Sequence, residues 1–174
     1  MRLVEGSNVA TATIHLVPDP RQTYSMADRR AQHALSEKLY ADLNTMTALV
    51  ERIVAVRGAL DARAAAVPAG DPLAAQLRAA SAAVDSMRMK IVATKEGGMI
   101  TGEERLRENL TGLYGSVSNY DGKPSQMQTE RASAIEREMG DVAKAFDAWL
   151  AGQLPAINKA LEAKGAKAIV MPKG

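Results

Sequence analysis

The residues able to do chemistry in this 174-residue chain are few and poorly spaced for it. The only two histidines, His15 and His33, both lie near the N-terminus. Helical bundles hold metals through Glu-x-x-His motifs on facing helices, and no such motif occurs here. His33 and Glu37 stand four apart, a spacing at which two side chains on one helix face touch, and a surface pair is the stronger reading than half a metal site. The carboxylate pairs Glu103-Glu104 and Glu136-Glu138 have the composition of an acid–base couple. Glu103 and Glu104 fall where acids favour the positive end of a helix, however, and Glu136 and Glu138 sit among Arg131 and Arg137 on a solvated face. Glu96-Gly97-Gly98-Met99 lacks the lysine and spacing of a phosphate-binding loop, and no nucleophile elbow accompanies the serines. The sequence therefore assigns no catalytic, cofactor-binding or metal-binding residue, and no cofactor.

Composition narrows the function classes further. The formal net charge of +2 comes from 22 basic and 20 acidic residues scattered along the chain, which sets up no field for nucleic acid or an anionic membrane. With no cysteine there are no disulfides and no thiol chemistry. No stretch approaches the roughly 18 apolar residues of a membrane span.

The elements that position these residues are helices. Apolar residues make up 47% and aromatic residues only 3%, so a core of Leu, Val, Ile, Met and Ala is expected. A first helix is predicted over residues 26–67, capped by Ser25 with Asp28 three residues on, and ended at Pro68-Ala69-Gly70. Its seam is Leu39, Leu43, Met46, Val50, Ile53, Val56 and Leu60. A second opens at Asp71-Pro72, carries Leu73, Leu77, Ala80, Val84, Met87 and Ile91, and stops at Gly97-Gly98. A third opens with a capping box at Thr101-Gly102-Glu103-Glu104, carries Leu106, Leu110, Leu113, Val117 and Tyr120, and closes at Asp121-Gly122-Lys123-Pro124. Gly112 and Gly115 within it suggest close approach of a neighbouring backbone. The fourth opens at Ser125-Gln126-Met127-Gln128 and carries Ile135, Met139, Val142, Phe146, Leu150, Leu154, Ile157 and Leu161, with a kink or restart expected near Gly152 to Pro155.

The expected fold is all-α: an antiparallel four-helix bundle, or alternatively three long rows in which the second and third helices run end to end, with a short N-terminal β-strand segment. Residues 9–17 alternate Val9, Thr11, Thr13, His15 and Val17 with Ala10, Ala12, Ile14 and Leu16, the period of a half-buried strand. With no second strand in view, its partner is expected in another domain or in a second copy of the chain. Residues 1–21 then form a strand and Pro-rich linker, 22–165 the bundle and 166–174 an extended tail. Tyr114, Tyr120, Phe146 and Trp149 fall on or beside the seams; core packing is the simpler role, and a ligand or partner surface the functional one. Met87, Met89, Met99, Met127 and Met139 have the same two readings.

Ile14-His15-Leu16-Val17-Pro18-Asp19-Pro20-Arg21 ahead of a long helix, Tyr120-Asp121-Gly122-Lys123-Pro124-Ser125-Gln126, and Leu154-Pro155-Ala156-Ile157-Asn158-Lys159-Ala160-Leu161 resemble the C-terminal helical module of secreted bacterial sortilin-like proteins of the BNR-repeat, glycosyl-hydrolase-like group. The resemblance spans residues 9–171. It implies a propeller and a β-sandwich ahead of the chain, the sandwich's last strand in residues 9–17, a periplasmic or extracellular setting, and no catalytic residue in this segment. The leading expectation is thus a non-catalytic scaffolding or interaction module, its partner an upstream β domain or another protein. An accessory domain of a carbohydrate-active propeller enzyme and a small-ligand-binding bundle are the alternatives.

Overall fold

The computed structural model describes residues 1–17, 19–68, 70–95 and 102–170. The chain is all-α with a short N-terminal sheet: β1 (Arg2–Glu5), β2 (Asn8–Thr11), α1 (Met26–Ala66), α2 (Pro72–Ile91), α3 (Leu106–Ser118) and α4 (Gln126–Ala163).

Local chemistry sets most helix ends. Ser25 and Ser125 each accept the backbone N–H three residues on, from Asp28 and Gln128, whose side chains in turn accept the serine N–H. Asp71 caps α2 by accepting from Leu73 N–H at 2.9 Å, with Pro72 in the first turn. α3 departs from expectation. It starts at Leu106 behind Arg105, a residue with no acceptor, and only the Glu108 carboxylate closes that end by accepting Arg105 N–H at 3.0 Å. Thr101 and the Gly97-Gly98 stop lie outside the described residues, and α2 ends at Ile91.

The four helices form three rows. α2 packs antiparallel on the second half of α1, with Arg57 on Asp85 at 2.8 Å. α3 continues in the same direction along the first half of α1, where Gln32 Nε2 donates to Val117 O at 2.8 Å. α2 and α3 scarcely touch each other, as end-to-end helices must. α4 lies parallel to α1: Lys38 pairs with Glu136 at 2.9 Å and Arg52 with Asp147 at 2.8 Å, in ascending order along both helices. The three-row alternative is therefore the one realised, in place of the up-down-up-down order that short connections favoured. The reason is length: α2 and α3 have 20 and 13 residues against 41 for α1 and 38 for α4, so two helices are needed to cover one long partner.

The core follows the seams. Leu39, Met46, Ile53, Val56 and Leu60 of α1, Leu77 and Val84 of α2, Leu110 of α3, and Ile135, Phe146 and Leu161 of α4 are buried in one cluster. Leu49 is also buried, although it was not placed on the seam. Tyr120 leaves the seam entirely, beyond the end of α3. Gly112 and Gly115 face open space, with nothing within 4 Å of where a Cβ would stand, so no backbone approaches them. α4 runs unbroken past Pro155, without a restart, because the apolar stripe from Leu150 to Leu161 keeps its phase against the core. Beyond it, Ile169 is buried and held by Asn158, which donates to its C=O at 3.0 Å and accepts its N–H at 2.8 Å.

The strand expected over residues 9–17 is paired within the chain and is shorter. β2 aligns with β1 in the register Arg2↔Thr11, Leu3↔Ala10, Val4↔Val9 and Glu5↔Asn8, closing on Gly6-Ser7. Gly6 has φ 58° and Ser7 does not enter the left-handed region, the combination a type II′ hairpin needs with glycine first. Residues 12–17 are not in a strand, and the hairpin touches none of the helices.

Candidate functional site

The four rings singled out from the sequence go to four different places. Phe146 is fully buried, with the Arg52 guanidinium 5.4 Å from its ring centroid. Trp149 is half-buried over α2, beside Gln76, Ala80 and Ala83. Tyr120 is exposed at the corner after α3, its ring edge-on to Tyr24 at 5.4 Å, with Tyr24 Oη donating to Tyr120 Oη at 2.9 Å. That bond, followed by desolvation and the nearby Asp121 charge, pushes the Tyr24 hydroxyl above its ordinary range. Tyr114 is half-buried on α3 and meets Tyr40 of α1, centroids 6.3 Å apart. None of the four pairs with another of the four.

Tyr114 instead belongs to a face that the sequence reading missed. On the outer side of the α1/α3 seam, His33, Ser36, Glu37, Tyr40 and Tyr114 line an open depression of about 500 Å³. One turn further along α1, Leu43, Met46, Thr47, Val50 and Glu51, with Arg107 and Thr111 of α3, line a second, apolar-floored one of about 180 Å³. The α1 contributors recur at helical spacing on the flank beside the core stripe, which puts half-buried Leu43 and Val50 at the floor and His33, Tyr40 and Glu51 at the rim. Tyr40 is 58% exposed, a high value for a ring already in contact with another. The signal was its position seven residues after His33 and three before Leu43.

His33 Nε2 stands 3.4 Å from Glu37 Oε1, both exposed, as the four-residue spacing implied. Ser36 Oγ accepts from Gln32 Nε2 at 3.2 Å. The carboxylate pairs are split: Glu136 turns to Lys38, and Glu138 to Arg131 at 3.6 Å. Glu103 accepts Thr94 N–H at 2.9 Å and pairs with Arg105, which together hold its carboxyl down at about 2. Among the described residues no cluster of three or more His, Asp or Glu side chains has metal-binding geometry, and no helix is long and apolar enough to cross a membrane. Of the methionines weighed as a groove, Met89 is exposed and Met87 half-buried on α2, Met127 exposed and Met139 buried on α4, while Met99 lies outside the described residues.

No family model, curated protein or solved structure matches the chain.

Proposed function

We infer that the chain is a non-catalytic helical scaffolding or interaction module, and that a protein partner docks on the α1/α3 face. The observation that carries this is the exposed Tyr40 ring set against Tyr114 with His33 and Glu37 beside it, next to a second depression one turn along α1 that has an apolar floor edged by Glu51 and Arg107. Exposed tyrosine beside an apolar patch with a polar rim is the make-up of a binding hot spot, because the rings bury large area at small entropic cost while the rim excludes water. In a larger sortilin-like BNR-repeat protein of the kind the sequence resembles, such a module sits behind the propeller and contributes contacts, with no catalytic group of its own. The test is affinity capture with the intact chain alongside Tyr40→Ala and Tyr114→Ala. A partner retained by the unaltered chain should be lost or weakened by at least about tenfold with either variant and kept by Lys159→Ala at the opposite end. The same proteins captured equally by all four would defeat the docking-face reading.

A further inference from the structure

The depression where α2 gives way to α3, lined by Lys90, Arg105, Leu106, Glu138, Asp141 and Val142, carries charges of both signs that select no ligand. The open Gly112/Gly115 side of α3 has nothing set against it. The N-terminal hairpin carries further.

Its pairing pattern determines which backbone groups are free. Glu5↔Asn8 closes the two-residue turn, Leu3↔Ala10 follows two residues on, and Met1 and Ala12 exchange hydrogen bonds beyond. Asn8, Ala10 and Ala12 therefore turn their N–H and C=O toward β1, and Val9 and Thr11 turn theirs outward. Residues 12–17 lie beyond β2 and are not in a strand here; extending the same alternation through them would make the outward set Val9, Thr11, Thr13, His15 and Val17. Those five residues are centred on Thr13, with valine at both ends and Thr11 matched by His15. No Asp, Glu, Lys or Arg occurs between Glu5 and Asp19, so the edge lacks the charges that normally block strand addition. Its apolar side chains are open, Leu16 at 93% and Val17 at 82% exposed, and a two-stranded hairpin alone is marginal in water.

We propose that residues 12–17 extend β2 on association, and that residues 9–17 then pair antiparallel with the same residues of a second copy, across a two-fold axis at Thr13. The symmetry sets Thr13 against Thr13 of the other copy, Thr11 against His15, Val9 against Val17, Ala10 against Leu16 and Ala12 against Ile14. Each outward residue then finds a hydrogen-bonding counterpart, each Ala meets a large apolar side chain, and no like charges meet. An isologous interface demands such self-complementarity, and a preceding sheet has no need of it. The proposal is independent of the tyrosine face.

Because the chain has no cysteine, a single one reports the register. Across a hydrogen-bonded pair the Cα atoms are about 5.5 Å apart, inside the range a disulfide spans. In the intact chain, Thr13→Cys should oxidise readily to a covalent dimer, whereas His15→Cys and Val17→Cys, displaced from the axis, should cross-link at least about tenfold more slowly. Light scattering should give a dimer for the unaltered chain and a monomer for Thr13→Pro, with the helical circular dichroism of both the same. A monomeric unaltered chain, particles larger than a dimer, a dimer that survives Thr13→Pro, or cross-linking equal at all three positions would overturn the proposal. Tyr40→Ala should leave the dimer intact, so failure here and failure of the docking face are told apart.

Discussion

Glu103 ties the connection between α2 and α3 together with one carboxylate. It accepts the Thr94 N–H and hydroxyl from the far side of that connection and pairs with Arg105 beside it. All of these favour the ionised form, which is why its pKa falls from the ordinary 4.5 to about 2. A depressed carboxyl stabilises the fold above its unfolded pKa and loses that contribution as pH falls through the folded one. The chain should therefore lose stability between about pH 4.5 and pH 2 more steeply than Glu103→Gln, as read from urea melts across that window; parallel pH profiles would remove Glu103 from the account. Phe146 is the opposite kind of residue, wholly buried, and Phe146→Ala should cost about 3–5 kcal/mol by chemical denaturation. Its role was legible because seam position and ring size agree. The fates of Tyr120 and Tyr40 were not, since a ring next to a seam faces inward or outward according to where the neighbouring helix ends.

Elements were legible where their signals are local. Ser25, Asp71 and Ser125 sit at the caps their side chains predicted, because an N-cap depends only on the next three residues. β1 escaped notice: it is four residues long with a charge at each end, so only its pairing with β2 reveals it. The start of α3 lies at Leu106, past the Glu104 that the Thr101 box would use, while its neighbour Glu103 accepts from Thr94. The glycines of α3 give the sharpest element-level prediction. With open space at both sites, Gly112→Ala and Gly115→Ala should each stabilise the protein by about 0.5–1 kcal/mol, since alanine removes backbone freedom from the unfolded chain and meets no neighbour. A rise in Tm for each, close to additive in the double variant, is the expected result. Destabilisation would mean that a backbone does approach that face.

At the scale of the whole molecule the seams were legible apart from Leu49 and Tyr120, and the order of the rows was open between two arrangements, because an apolar stripe records that a helix is covered without recording by which neighbour. The choice rests on lengths and on long-range pairs that no local pattern encodes, such as Lys38 with Glu136 and Lys164 with Asp71. Three rows place the start of α1 and the end of α4 at opposite ends of the molecule, while an up-down-up-down bundle returns the chain to where it began. Spin labels on exposed Arg30 and Lys159 separate the two outcomes. From the register of Arg52 with Asp147, Lys159 lies level with the last turns of α1, so about 34 residues of helix rise at about 1.5 Å each put the labels roughly 50 Å apart. Labels at Glu37 and Arg137, flanking the Lys38–Glu136 pair, should instead lie within a few helix radii, about 10–25 Å. Dilution with unlabelled chain removes distances between copies. A 30–159 distance as short as the 37–137 one would return the fold to four antiparallel rows, and with it would go the α1/α3 seam on which the tyrosine face is built.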